Sequence, residues 1–171
     1  MDGWSVRFSG FDAERMHHRE SLLSIGNGYF CTRGAFEEGY PGDGRATLAH
    51  GVFDSAPVVH RELVSMPDWL ALDVLLDDER FSLATGTVLG FEQALDLASG
   101  LLTRSVRWES PQGRVASLVF ERFASMEDEH AALLRVRVIP EFHGHVEVRG
   151  WVDGLGENEH PGFAVSHLVR V

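Results

Sequence analysis

The feature that most restricts this chain is a period-two alternation that occurs four times in its second half. From Leu101 to Glu109, one side carries Leu102, Arg104, Val106 and Trp108, and the other carries Leu101, Thr103, Ser105, Arg107 and Glu109. From Arg114 to Ser125, Ala116, Leu118 and Phe120 alternate with Val115, Val119 and Phe123. From Ala132 to Pro140, Leu134, Val136 and Val138 alternate with Arg135 and Arg137. From His145 to Asp153, Val146, Val148 and Val152 alternate with Glu147, Arg149 and Trp151. Successive side chains of a strand point to opposite faces, whereas a helix repeats every 3.6 residues, so these runs read as strands with one buried and one wetter face.

The connections agree with that reading. Ser110-Pro111-Gln112-Gly113 has proline and glycine where a type I turn uses them, and Asp96 to Gly100 ends one strand at a glycine. Met126 to His130 is a charged loop. Together these pieces predict an antiparallel meander of long hairpins. In the first half, Trp69–Asp77, Arg80–Leu83 and Thr85–Leu97 are strand candidates, and Gly39 to Gly44 is a loop by composition. Phe11 to Glu20 is the best helical stretch, with Asp12 placed to cap it. No repeat or linker divides the 171 residues, a length that suits one domain. Phe163 to Val171 has the pattern of a strand that stops with the sequence, as either a sheet incomplete at its C-terminal end or a C-terminal edge strand would do.

Charge narrows the partners. Fifteen basic and 26 acidic residues give −11, every basic residue except histidine is arginine, and lysine is absent. Nucleic acids and anionic membranes need a positive field, so neither is expected as a partner. The N-terminus lacks a signal-peptide pattern, and no run approaches the ~18 apolar residues of a membrane helix. The expectation is a cytoplasmic domain. Cys31 is the lone cysteine, which excludes an intrachain disulfide and a Cys-based zinc site. It is expected to be a small buried residue rather than a reactive thiol.

Few residues suggest chemistry. Glu37-Glu38, Asp77-Asp78-Glu79 and Glu127-Asp128-Glu129 are clustered acids, and paired carboxylates can act as acid and base on a glycosidic bond. All three clusters adjoin turns, where acids are expected to be solvated. His143 and His145 would share one face of a strand, but no third ligand follows at metal-site spacing. Gly26-Asn27-Gly28 is too short for a phosphate loop and reads as a tight turn. Trp69, just after Pro67-Asp68, stands where an indole could either stack on a sugar ring or pack into the core.

The run Glu20-Ser21-Leu22-Leu23-Ser24-Ile25-Gly26-Asn27-Gly28-Tyr29-Phe30-Cys31-Thr32-Arg33-Gly34-Ala35-Phe36-Glu37-Glu38-Gly39 closely resembles the opening motif of glycoside hydrolase family 65. Further matches follow in order: Gly51-Val52-Phe53-Asp54, Glu62 to Leu70, Leu95-Asp96-Leu97, Gly100 to Arg104, and Phe120 to Ser125. Cys31 departs from the small residue expected at its position. The resemblance spans about Trp4 to Gly154 and weakens from Glu157 onward. It implies an all-β, antiparallel β-sandwich of the supersandwich type over residues 1–171. In the family an (α/α)6 barrel follows and holds the general-acid glutamate and the phosphate site. No residue of this chain matches that barrel, so no catalytic residue is assigned and the chain alone is expected to be inactive. The resemblance further implies an inverting phosphorylase or hydrolase acting on an α-glucoside, with no organic cofactor and no metal. The implied partners are the barrel, the α-glucoside and a second copy in a homodimer. Asn27, Arg33, Glu37, Asp68 and Trp69 belong to motifs that would face the barrel or its pocket. The open alternatives are a free-standing carbohydrate-binding module and a structural, self-associating fragment.

Overall fold

The computed structural model describes residues 3–55, 61–154, 157–160 and 163–166. The chain starts with β1 (Ser5–Ser9), a single 3-10 turn (Ala13–Arg15) and α1 (Met16–Leu22). Strands β2 (Ile25–Gly26), β3 (Phe30–Thr32), β4 (Thr47–Ser55) and β5 (Arg61–Ser65) follow. Next come β6 (Leu72–Leu76), β7 (Glu79–Arg80), β8 (Thr87–Asp96) and β9 (Leu101–Glu109). The rest are β10 (Val115–Ala124), β11 (Ala132–Pro140), β12 (Val146–Gly150), β13 (Glu157–His160) and β14 (Phe163–Ser166). Every pairing among them is antiparallel.

The expected meander is the spine of the largest sheet, whose order is β1-β8-β9-β10-β11. Its hairpins are local, and their turn residues do what the sequence requires of them. Gly113, at φ 83°, closes the β9–β10 turn and donates its N–H to Ser110 O at 2.9 Å. Leu89 is an extra residue opposite β9, a bulge between Val88 and Gly90. A second layer, of order β12-β6-β7, lies across part of this sheet. Val74, Leu76 and Phe81 from that layer pack in one core with Phe91, Val106, Trp108, Ala116, Leu118 and Phe120 from the large sheet. Phe81 meets Trp108 edge-on at 5.4 Å, and the Trp108 indole N–H donates to Thr85 O at 2.8 Å. Each fully buried Val, Leu or Phe side chain among these stabilises the fold by about 1.5–3 kcal/mol. The result is an all-β sandwich. A four-stranded sheet, β2-β3-β4-β5, and the β13-β14 hairpin complete the described elements.

Several boundaries differ from the sequence pattern, each for a local reason. Helical backbone begins at Ala13, because Asp12 is extended (φ −143°) and its side chain accepts from Glu14 N. The Trp69–Asp77 run becomes a strand only at Leu72. Asp68 Oδ1 accepts from Leu70 N at 2.9 Å, and the Asp68 backbone pairs with Asp153 instead of continuing into β6. His143 and His145 do not share a strand face: β12 starts at Val146, and His145 N donates to Asp77 Oδ1 in the preceding turn. Asp77 and Asp78, at φ 47° and 69°, form the two-residue loop of the β6–β7 hairpin. Residues 167–171 of the last expected strand lie outside the described residues.

Candidate functional site

The segment from Arg33 to Tyr40 has no regular structure except a turn, yet Gly34 through Glu38 are buried. Buried carbonyls without a β-ladder need other donors, and arginines supply them. Arg122 Nη2 donates to Ala35 O at 2.7 Å and Arg33 O at 3.3 Å. Arg45 Nη2 donates to Phe36 O at 2.7 Å and Glu37 O at 2.6 Å. Arg80 Nη2 donates to Glu38 O at 2.6 Å. Gly34 is required where the segment crosses α1, because a Cβ there would lie 2.8 Å from Leu23 Cβ and 2.9 Å from Leu23 O.

The same segment turns two carboxylates inward. Glu37 and Glu38 are only 3% and 4% exposed, which overturns the expectation that this acidic pair is solvated. Glu38 accepts from Arg104 through both oxygens, at 2.7 and 2.5 Å. Glu37 accepts from Arg104 at 2.7 Å and from Arg122 at 2.9 Å. The Arg104 guanidinium also lies between the Phe36 and Phe120 rings, 4.3 and 4.2 Å from their centroids. Burial by itself pushes the Glu37 carboxyl up, but the charges of Arg122 and Arg104 and their hydrogen bonds outweigh it and hold it below its ordinary value. Burial pushes Arg122 down, and the neighbouring Arg104 charge adds to this, whereas Glu38 and Glu37 overcome burial at Arg104 and raise it.

Beside this charged core an open cleft of about 590 Å³ is lined by His17, Arg33, Gly44, Arg45, Asp68 and Asn158, among others. Arg45 is its fixed wall. Besides holding the two carbonyls, it donates to Asp43 Oδ2 at 2.9 Å and to Asp68 Oδ2 at 2.5 Å. Asp68 is held twice more through its backbone, by reciprocal hydrogen bonds with Asp153 at 2.7 and 2.9 Å. Arg33, also in the lining, reaches Glu20 at 3.4 Å, and behind it Tyr40 Oη donates to the other Glu20 oxygen at 2.6 Å. Burial and this hydrogen bond raise the Tyr40 phenol, which keeps its proton on the bond. The cleft walls are therefore set before any ligand arrives, and they carry more carboxylates than guanidiniums. That suits a neutral polyhydroxylated ligand better than an anion.

The five sequence candidates do not form one cluster. Asp68 and Arg33 line the cleft. Glu37 lies behind it, its carbonyl on Arg45 and its carboxylate in the core. Trp69 faces a separate groove of about 320 Å³ with Tyr29, Pro67 and His130, and its indole N–H donates to Thr32 Oγ1 at 3.0 Å. Asn27 is elsewhere again. Its Oδ1 accepts from Tyr29 N and Phe30 N, closing the β2–β3 turn, while its Nδ2 donates to Ser125 O and Glu129 O in the β10–β11 loop. Arg45 was missed, although it is the hub of the cleft. Cys31 is half-buried within β3, and burial raises its thiol pKa. No described helix is long and apolar enough to cross a membrane.

The model of the glycosyl hydrolase family 65 N-terminal domain matches residues 6–170. The chain belongs to that family. A kojibiose phosphorylase of Halothermothrix orenii is 32% identical over 168 residues, which cover 98% of this family 65 chain and 21% of the relative. An uncharacterised glycosyl hydrolase of Mycobacterium tuberculosis is 35% identical over 168 residues, covering 90% of the chain and 12% of that protein. The sandwich also matches a solved structure from the human microbiome, provisionally named a kojibiose phosphorylase, with a TM-score of 0.78 at 22% identity over 85% of this chain and 21% of that one. The family 65 chain thus spans about a fifth of the kojibiose phosphorylase it resembles.

Proposed function

We propose that this chain is the non-catalytic β-sandwich part of a family 65 phosphorylase acting on an α-glucoside, and that it supports a separate catalytic (α/α)6 barrel and forms an edge of that barrel's pocket. The observation that carries the reading is the match over nearly the whole chain to only 21% of a kojibiose phosphorylase. The chemistry of the buried acids supports it, because Glu37 and Glu38 are each held by guanidiniums and neither is placed to hand a proton to a substrate. The exposed side chains of Leu133 and Ile139 on β11, the outermost strand of the large sheet, support a further contact, with the barrel or with a second copy in a homodimer. The test is an assay of the purified chain on kojibiose, trehalose and maltose, with and without inorganic phosphate. No turnover is expected. Turnover that scales with protein concentration and survives further purification overturns the proposal.

The prearranged, net-acidic cleft around Arg45 and Asp68 favours one second reading, a carbohydrate-binding module that works without a barrel. Calorimetric titration of the chain with the same disaccharides separates the two. Saturable binding by the isolated chain supports the second reading, and its absence supports the first.

A further inference from the structure

Three deeply buried polar atoms in the charged core have no hydrogen-bond partner among the described residues: Gln93 Oε1, Arg104 Nε and Arg122 Nε. Their residues are 2%, 3% and 2% exposed. The strand register brings them together. Gln93 on β8 lies directly across from Arg104 on β9, and Arg104 lies across from Phe120 on β10, two residues before Arg122 on the same face. Directly opposed side chains in such a pair have Cβ atoms about 4.5–5.5 Å apart. All three residues line one small cavity, walled otherwise by Phe36, Leu102 and Phe120 among others.

That cavity leaves about 10 Å³ for the centre of a water molecule. A site holds a single water when about one water-sized sphere fits, roughly 10–15 Å³ of occupied volume, and when it offers two to four polar partners. We propose that the cavity is a binding site for one structural water, which accepts from the Nε–H of Arg104 and of Arg122 and donates one hydrogen to Gln93 Oε1. The two donors use both lone pairs of the water oxygen, so the orphan atoms are satisfied together. Other occupants fit worse. Glu37 and Glu38 already balance the two guanidiniums, so a further anion would be unpaired, and a cation would face two N–H donors. Leaving the space empty would strand three polar groups away from any solvent. Gln93 acts here as a positioning residue. Through the water it fixes the rotation of both guanidinium planes, and so the direction in which their Nη atoms reach Glu37 and Glu38.

Two measurements on the intact chain test this. An atomic-resolution crystal structure should show one isolated density peak at hydrogen-bond distance, about 2.7–3.2 Å, from all three atoms. In solution, the Nε–H resonances of Arg104 and Arg122 should show cross-relaxation to a long-lived water, and Gln93→Met should abolish or strongly weaken those signals. An empty cavity overturns the proposal, as does a Gln93 amide bonded directly to either Nε. Absence of the cross-relaxation in the unsubstituted protein also overturns it, whether or not Gln93→Met folds.

Discussion

The inner face of the five-stranded sheet has two halves that solve different problems. One half, with Val106, Trp108, Ala116 and Leu118, faces the β12-β6-β7 layer and is wholly apolar. The other half, with Gln93, Arg104 and Arg122, faces the irregular segment from Arg33 to Tyr40 and is charged. Arg104 and Val106 are two residues apart on one strand and are equally buried, at 3% and 2% exposed. What differs is the layer above. A facing strand satisfies its own backbone through the ladder and asks only for apolar contact. A facing loop brings carbonyls that need donors, and then carboxylates that neutralise the donors.

The comparison breaks most sharply at Arg122. Arg122→Met leaves Glu37 short of a partner and removes the donor to Ala35 O and Arg33 O. Losing one partner of a buried ion pair costs about 3–5 kcal/mol, and urea denaturation should show a loss of that order. Many buried ion pairs can be replaced together by apolar residues at little cost. If the loop carbonyls are the reason for this one, the double variant Glu37→Leu/Arg122→Met stays clearly less stable than the parent. Recovery of parental stability in the double variant would mean that the carbonyls do not need Arg122.

An intermediate effect concerns acid. The folded-state pKa of Glu37 lies below its ordinary value of 4.5, so its contribution is full above that pH and is lost as the pH falls through the depressed value. Glu37→Gln should be less stable than the parent at neutral pH, and the two stability curves should converge below about pH 4.5. Parallel curves down to pH 2 would remove Glu37 from the acid response. The smallest effect is expected on the opposite face of β9. Arg107 holds Glu141 in a two-pronged pair at 2.8 and 2.8 Å, similar in chemistry to Arg104 and Glu38, but both partners are exposed. Arg107→Ala should leave the thermal midpoint within replicate scatter, because exposed pairs are screened by solvent. A large fall there would show that burial is not what separates the two pairs.

The long strands were legible because their information is local. Leu101–Glu109 and Ala132–Pro140 alternate cleanly between turn residues, and β9 and β11 have those limits. The charged core was harder to read, because Glu37 and its partners are 67 and 85 residues apart in sequence. A signal was present all the same. Arg104 is in phase with Leu102, Val106 and Trp108, and Arg122 with Leu118 and Phe120. A guanidinium on the apolar side of a strand calls for buried carboxylates, and Glu37-Glu38 is the acidic pair inside the densest motif. The cleft hub, Arg45, gave no comparable sign. It lies in a stretch without periodicity, and its four partners come together only once the fold is complete.

Asn27 ties the β2–β3 turn to a loop about a hundred residues away, through the two hydrogens of one amide. It is followed by Gly28, and an asparagine before glycine is the pairing most open to slow spontaneous deamidation. Hydrolysis of that amide, which takes up water and releases ammonia, would replace a donor by a carboxylate oxygen facing Ser125 O and Glu129 O, so attraction would become repulsion at both contacts. Where that change occurs, its first sign should be the release of the β10–β11 loop rather than any failure of the core.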